Sequence, residues 1–232
     1  MSITEAMPLA LRATLVAVLL AAAALLSGCL AAAAPSDGTL RTRDGDTIEI
    51  SAAARAAGLR FAADVAPGDR AWILVAVGRA RPEAGRLIDV VDGLVEVRTD
   101  LYGRSDAIGL TEMGPEGVVV SFDVARLNAS AALQRDTVVL HELGHVVDAA
   151  LVPRALGAQL DAGIPSGGTC AVPTDAIGAC AAPQERFADT FAKWALRGAV
   201  SAAGAGYGIA APASLEDWGA PLTALAVRLG VG

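Results

Sequence analysis

The spacing of apolar and polar residues predicts strands in the first half of the chain. "LVEVRTD" (94–100) alternates and is rich in branched residues, and "AIGLTEM" (107–113) and "GVVVSFD" (117–123) follow it. A period of two is typical of strands. The last two segments are joined by "GPEG", which predicts a β-hairpin with a four-residue loop. "DTIEI" (46–50) predicts a further short strand.

Helical spacing dominates the second half. Residues 129–151 hold no proline and no internal breaker except Gly144. Their apolar positions share one broad helical face: Val139, Leu143, Val146, Val147 and Ala150. A helix is also predicted from Pro183 through "QERFADTFAKWALRG". The last helix follows Ser214, which with Asp217 approximates a capping box.

The remaining segments complete an α+β pattern. Pro82 can open the helix "PEAGRLIDVV" before the strands. Residues 152–182 carry glycines, prolines and two cysteines, which predicts a long loop that is functional or cross-linked. Helices, then strands, then helices indicate an α+β fold.

The N-terminal segment is predicted to be a signal peptide. Arg12 precedes the apolar "ATLVAVLLAAAALLSG", which suits a signal peptide and is short for a membrane-spanning helix. The ending "LLSGC" resembles the lipobox of bacterial lipoproteins. This resemblance implies cleavage before Cys29, diacylation of its thiol and anchoring at the outer face of the cytoplasmic membrane. The alternative is an ordinary secretory signal cut near "AAAAP" (31–35). We therefore expect a signal peptide over 1–28, a flexible tether over 29–45 and one domain over 46–232.

The three cysteines fit this compartment. If Cys29 carries lipid, Cys170 and Cys180 remain as a pair around the short loop "AVPTDAIGA". An oxidising compartment favours a disulfide between them. The alternative is that one of these thiols binds a metal.

Composition narrows the class of partner. The chain has a net charge of −7 and no arginine-rich run, so nucleic-acid binding has no electrostatic basis. Membrane contact is expected only through the N-terminal lipid. The sequence sets no oligomeric state.

The only two histidines of the chain lie four residues apart in "HELGH" (141–145). On a helix, His141 and His145 share one face, whereas Glu142 projects about 100° away from His141. This is the H-E-x-x-H pattern of two zinc ligands and one general base. A structural zinc is the alternative, but such sites are usually closed by four protein ligands, often cysteines. An open, catalytic site with one Zn²⁺ is therefore favoured.

The third zinc ligand must come from elsewhere in the chain. No histidine remains, and Asp148 and Leu151 stand where the metzincin pattern has glycine and histidine. A carboxylate is left, and Glu185 in "ERFADTFA" is the best candidate. Asp189 lies one turn later on the same helix face. One carboxylate can bind zinc while the other accepts the second N–H of a ligand histidine, and Asp189 as the direct ligand remains the alternative.

These motifs resemble those of zincin-type bacterial metallopeptidases of the gluzincin kind, which carry H-E-x-x-H on one helix and E-x-x-x-D on a later one. "ERFADTFA" is also similar to the E-x-x-A-[ND]-x-F-A helix of ImmA/IrrE-like peptidases. The resemblance covers about residues 137–195. It implies an α+β zincin-like fold with a small, mostly antiparallel sheet, an active-site helix and a second helix carrying the third ligand.

The resemblance also implies a mechanism of peptide-bond hydrolysis. Glu142 would accept the proton of the attacking water. Related enzymes often use a tyrosine or histidine to stabilise the oxyanion, which makes Tyr207 a candidate and an ordinary loop tyrosine the alternative. In zincins an edge strand pairs with the substrate; "GVVVSF" (117–122) could be that strand or a plain core strand.

We therefore expect a lipid-anchored zinc metalloendopeptidase acting on a peptide or protein substrate. His141, His145 and Glu185 would bind the zinc, and Glu142 would be the catalytic base. The alternative is a non-catalytic surface lipoprotein in which zinc stabilises a binding module. A regulatory protease with a single partner protein is a further alternative.

Overall fold

The computed structural model describes residues 38–41, 47–50, 58–101, 107–115, 117–166, 178, 180–198 and 207–229. All of these residues belong to one compact unit, residues 37–232. The predicted signal peptide and Cys29 lie outside the described residues. Within the described part, none of the helices combines the length and the apolar character needed to cross a membrane.

The described residues form six strands and seven α-helices, which confirms the α+β fold class. The strands are β1 (Gly38–Arg41), β2 (Thr47–Ile50), β3 (Arg60–Phe61), β4 (Val95–Arg98), β5 (Gly109–Gly114) and β6 (Gly117–Phe122). The helices are α1 (Pro67–Gly78), α2 (Pro82–Val91), α3 (Val124–Asn128), α4 (Ala132–Leu151), α5 (Arg154–Ala162), α6 (Pro183–Ala195) and α7 (Leu215–Arg228). Strand β1 lies within the segment expected to be a tether and pairs with β2.

The main sheet has the strand order β3-β4-β6-β5 and is mixed. Strands β3, β4 and β6 run parallel, and only β5 is antiparallel to its neighbour. The expectation of a mostly antiparallel sheet is therefore wrong. The chain passes from β3 to β4 through α1 and α2, and a helical crossover of this kind joins parallel strands.

The hairpin predicted at "GPEG" is confirmed, but Gly114 pairs with Gly117, so its loop has two residues and not the four expected. Strand β6, "GVVVSF", lies between β4 and β5, so its interpretation as an edge strand is wrong. Val118, Val120 and Phe122 are buried, which suits an interior strand. Strand β5 forms the edge of the sheet and exposes Glu112 and Met113.

Helix α4 is the central helix and contacts α1, α2, α6 and strand β5. Its predicted apolar face is buried at Val139, Leu143, Val146, Val147 and Ala150. Burial of each of these valine and leucine side chains contributes roughly 1.5–3 kcal/mol relative to an exposed one. The helix that carries "HELGH" is therefore held from several sides, which fixes the direction of its polar residues.

Helices α4 and α6 approach each other closely at Gly144. A Cβ at Gly144 would lie 3.1 Å from the Ala188 Cα and 3.2 Å from Phe191 Cδ1. The absence of a side chain at this position lets the backbones come together. The close neighbour of α4 at Gly144 is therefore α6.

Helix α5 lies within the segment predicted to be a loop, so that prediction is wrong for residues 154–162. The prolines and glycines around this segment are typical of a loop, but residues 154–162 form a short helix in which Leu160 is buried. Arg186 of α6 donates to the carbonyl oxygens of Asp161 and Ile164 at 3.0 and 2.7 Å. This distant arginine satisfies carbonyl groups at the end of α5, an arrangement that local sequence patterns do not contain.

Candidate metal centre

His141 and His145 project from α4 to the same point. Their Nε2 atoms are 3.1 Å apart, and the rings are nearly perpendicular, with an interplanar angle of 85°. This follows from the spacing of four residues, because positions i and i+4 lie one above the other on a helix. His141 is buried, with 1% of its side chain exposed, whereas the side chain of His145 is 13% exposed.

Glu185 faces the two histidines from the first turn of α6. Its Oε2 lies 3.2 Å from the Nε2 of His141 and 3.5 Å from the Nε2 of His145. Pro183 stands at the start of α6, where its fixed backbone angle suits the first helical turn. One ligand atom from each residue lies within 4.8 Å of the other two, so the three side chains could hold a metal ion.

The spacing of these atoms fits a tetrahedral ion. Zinc–nitrogen bonds of 2.0–2.1 Å place two ligand nitrogens about 3.3 Å apart, close to the 3.1 Å between the two Nε2 atoms. His141 Nδ1 is buried and has no hydrogen-bond partner among the described residues. A proton on Nδ1 would leave Nε2 with its lone pair directed at Glu185 and His145. The donor set is therefore suited to a cation.

The electrostatics of His141 and Glu185 also favour metal ligation. Burial lowers the pKa of His141 to about 4, so this ring is neutral near pH 7. Burial alone would raise the pKa of Glu185, but hydrogen bonds with His141 and His145 lower it to about 2. Burial alone would lower the pKa of His145, whereas Glu185 and the other carboxylates nearby raise it. A neutral imidazole and an ionised carboxylate are the forms that bind metals.

Asp189 lies one turn after Glu185 and is fully buried. The cluster of ligand atoms contains Glu185 and does not contain Asp189. Lys193 donates to Asp189 Oδ2 and, at 2.5 Å, to the carbonyl oxygen of Ile209. Asp189 Oδ1 has no hydrogen-bond partner within the described part of the chain. Burial raises the pKa of Asp189, and Lys193 opposes that shift.

Glu142 lies beside the cluster and is held by strand β5. Only 3% of this residue is exposed. The Thr111 hydroxyl donates to Glu142 Oε2 at 2.8 Å and lies 3.1 Å from the backbone oxygen of Glu142. Burial raises the pKa of Glu142 to about 7. A carboxylate of this pKa is suited to exchange protons near neutral pH.

Tyr207 stacks on His141, with ring centroids 3.9 Å apart and an interplanar angle of 8°. Its backbone oxygen accepts a hydrogen bond from the Gly178 amide at 2.5 Å, and Lys193 binds the carbonyl of Ile209 two residues later. Burial raises the pKa of Tyr207, which keeps its hydroxyl protonated. The structure thus brings Tyr207 to the centre, while its role as oxyanion donor stays a prediction.

Of the three cysteines, only Cys180 lies within the described residues. Cys180 is not a free thiol. Cys170 is outside the described part, so its disulfide with Cys180 stays a prediction.

Three residues at the centre were not found from the sequence: Gly109, Thr111 and Lys193. A glycine inside a strand pattern signals a close approach of the backbone, and Gly109 matches that signal. Lys193 is the single lysine of the chain, but no pattern around it indicates a role at the centre. No sequence pattern indicates a contact between Thr111 and Glu142, because that contact depends on which strand lies at the edge of the sheet.

Comparison with known proteins identifies no protein similar to this chain. No protein-family model matches the chain, and neither a curated protein nor a solved structure matches it.

Proposed function

We propose that the protein is a zinc-dependent metalloendopeptidase of the gluzincin kind with a zincin-like fold. The observation that carries this proposal is the cluster of His141, His145 and Glu185, with Glu142 buried beside it on the same helix. Two imidazoles and one carboxylate match a known set of catalytic zinc ligands, which leaves the fourth position for water or substrate.

The metal and its ligands define the chemistry. Imidazole and carboxylate together suit zinc, although their chemistry alone also admits other divalent ions. A bound zinc ion would polarise the scissile carbonyl and lower the pKa of a water molecule towards about 7. Glu185 has the most exposed side chain of the three proposed ligands, at 22%, and the substrate would enter beside it.

Glu142 would move the proton during hydrolysis. Its carboxylate would accept a proton from the attacking water and then deliver it to the leaving amine. The buried position of Glu142, with a pKa of about 7, supports this role. Tyr207 is the proposed hydrogen-bond donor to the oxyanion, because its ring lies against His141.

Asp189 would orient His141. The buried Nδ1 of His141 and the buried Oδ1 of Asp189 both lack hydrogen-bond partners among the described residues, so they are not bonded to each other here and would have to approach when the metal binds. A ligand histidine usually donates its other N–H to a carboxylate, which fixes its tautomer and ring orientation. Lys193 would keep Asp189 ionised for that purpose.

Strand β5 would bind the substrate as an added strand. It lies at the edge of the sheet and contacts α4 beside Glu142. An extended peptide can pair with such an edge through main-chain hydrogen bonds. The cleavage site of the peptide would then lie along α4.

The protein would act outside the cytoplasm. The lipobox-like "LLSGC" supports a lipid anchor on Cys29 at the outer face of the bacterial cytoplasmic membrane. The oxidising compartment would also allow the Cys170–Cys180 disulfide.

The test compares wild-type protein with Glu142→Gln on a broad peptide library. We expect the wild type to bind one zinc ion and to hydrolyse peptides, and Glu142→Gln to keep the zinc with at least about a hundredfold lower kcat. Glu216→Gln, at an exposed carboxylate of α7, is the control and should hydrolyse like the wild type. Zinc binding without hydrolysis in the wild type would instead support a non-catalytic, zinc-stabilised binding module.

A further inference from the structure

The carboxylate of Glu142 is enclosed by two residues of β5. Gly109 and Thr111 are two positions apart on this strand and therefore point to the same side of the sheet. Both contact Glu142, although they are more than thirty residues away in sequence. The strand that would bind the substrate thus also touches the residue that would move the proton.

Gly109 leaves the space that the carboxylate occupies. A Cβ at this position would overlap Glu142 Oε1 and lie 2.8 Å from its Cγ and Cδ. Real Cβ atoms do not approach other heavy atoms this closely, so any side chain at position 109 would displace the carboxylate.

Thr111 fixes the rotation of the same carboxylate. Its hydroxyl donates to Oε2 at 2.8 Å, so Oε2 is engaged by a protein donor. A hydroxyl-to-carboxylate hydrogen bond is charge-assisted and therefore stronger than a neutral one. The proton of the attacking water would consequently go to Oε1.

We propose that Gly109 and Thr111 are positioning residues that hold the Glu142 carboxylate in its proton-accepting orientation. This inference rests on the proposed function of Glu142 as a base. It implies that β5 would hold both the substrate and the Glu142 carboxylate, so that one strand determines the position of the base relative to the scissile carbonyl. Geometric control of this kind matters because a displacement of 1 Å can lower a rate about a hundredfold.

The kinetic test uses Thr111→Val, which removes the hydroxyl, and Thr111→Ser, which keeps it. We expect Thr111→Val to lower kcat at least about tenfold, with an unchanged KM and one zinc ion per chain. Thr111→Ser should restore most of the wild-type kcat. In the Glu142→Gln background, Thr111→Val should have no further effect. A wild-type kcat in Thr111→Val, or no rescue by serine, would overturn the inference.

Gly109→Ala provides a second, independent variant. We expect it to lower kcat while zinc content is retained, since the new Cβ displaces Glu142 and not the metal ligands. Gly68→Ala is the control, because a Cβ at Gly68 meets nothing within 4 Å. Equal activity of the two variants at the wild-type level would contradict the proposal.

A measurement without turnover separates this inference from the proposed function. The stability of the zinc-free full chain is measured by denaturant unfolding for Thr111→Val, Glu142→Ala and the double variant. We expect the two effects to be non-additive, because the residues share a hydrogen bond. Coupling in a protein that hydrolyses no peptide would support the contact and reject the peptidase. Additive effects in an active peptidase would overturn the inference alone.

Discussion

One buried ion pair, between Asp189 and Lys193, lies within α6, the helix that carries Glu185. Lys193 bridges the carboxylate of Asp189 and the carbonyl of Ile209, next to the segment that carries Tyr207. Removing one partner of a buried ion pair leaves an uncompensated charge and costs about 3–5 kcal/mol. The hydrogen bond from Lys193 to Ile209 therefore joins α6 to the segment whose Tyr207 covers His141.

Replacing Asp189 by asparagine should weaken zinc binding. The uncharged amide would be a poorer acceptor for the Nδ1–H of His141, so zinc affinity is expected to fall about 10- to 100-fold. Competition with a chromogenic chelator measures this affinity, and circular dichroism checks that the variant is folded. Asp217→Asn, in the first turn of α7, is the control and should bind zinc like the wild type. An unchanged affinity in Asp189→Asn would refute its role as partner of His141.

Individual ligands could be predicted where the geometry is local. His141 and His145 follow from the periodicity of a single helix. The lack of a third histidine indicates a carboxylate, with Glu185 as the best candidate and Asp189 as the alternative. Gly109 and Thr111 could not be predicted, since their contact requires β5 to pack on α4. Contacts between distant elements are set by packing, not by the period of either segment.

At the scale of elements, the approach of α4 to α6 places Glu185 opposite the histidines. Gly144 and Ala188 are the small residues at this approach, where a Cβ on Gly144 would lie 3.1 Å from the Ala188 backbone. A larger residue at position 144 would move α6 by a few tenths of an ångström. The distance between Glu185 and the two histidines depends directly on this approach.

Gly144→Ala should therefore lower zinc affinity more than it lowers stability. Alanine favours the helix by about 1 kcal/mol over glycine, which offsets part of the tighter contact. Gly85→Ala in α2 is the matched control, because a Cβ there meets nothing within 4 Å. The control should become more stable by roughly 0.5–1 kcal/mol with unchanged zinc affinity. Calorimetric titration and denaturant unfolding measure the two quantities; equal zinc affinities would contradict the expectation.

Element types could be predicted better than their arrangement. The helix of α4, the helix starts at Pro82 and Pro183 and the β5–β6 hairpin all follow from local patterns. The parallel order of β3, β4 and β6 could not be predicted, because it depends on the crossover through α1 and α2. The order also determined that β5, and not β6, is the edge strand.

At the scale of the whole molecule, a bound metal would join α4 to α6 in the folded state only. A ligand that binds the folded state stabilises it, by about 2.7 kcal/mol when its concentration is a hundred times its Kd. We expect a chelator to lower Tm and added zinc to restore it. The measurement is differential scanning calorimetry with and without a chelator. The double variant His141→Ala/His145→Ala should not respond, and a chelator-induced shift of the same size in that variant would place the metal elsewhere.

The most direct test of the central claim is a crystal structure of the zinc-loaded protein with anomalous data at the zinc edge. We expect one ion bound by His141 Nε2, His145 Nε2 and a Glu185 oxygen at about 2.0–2.2 Å. The fourth position should hold a water molecule and no protein atom, with Glu142 beside it. An ion that lacks Glu185 as a ligand, or a fourth ligand supplied by the protein, would contradict an open catalytic centre.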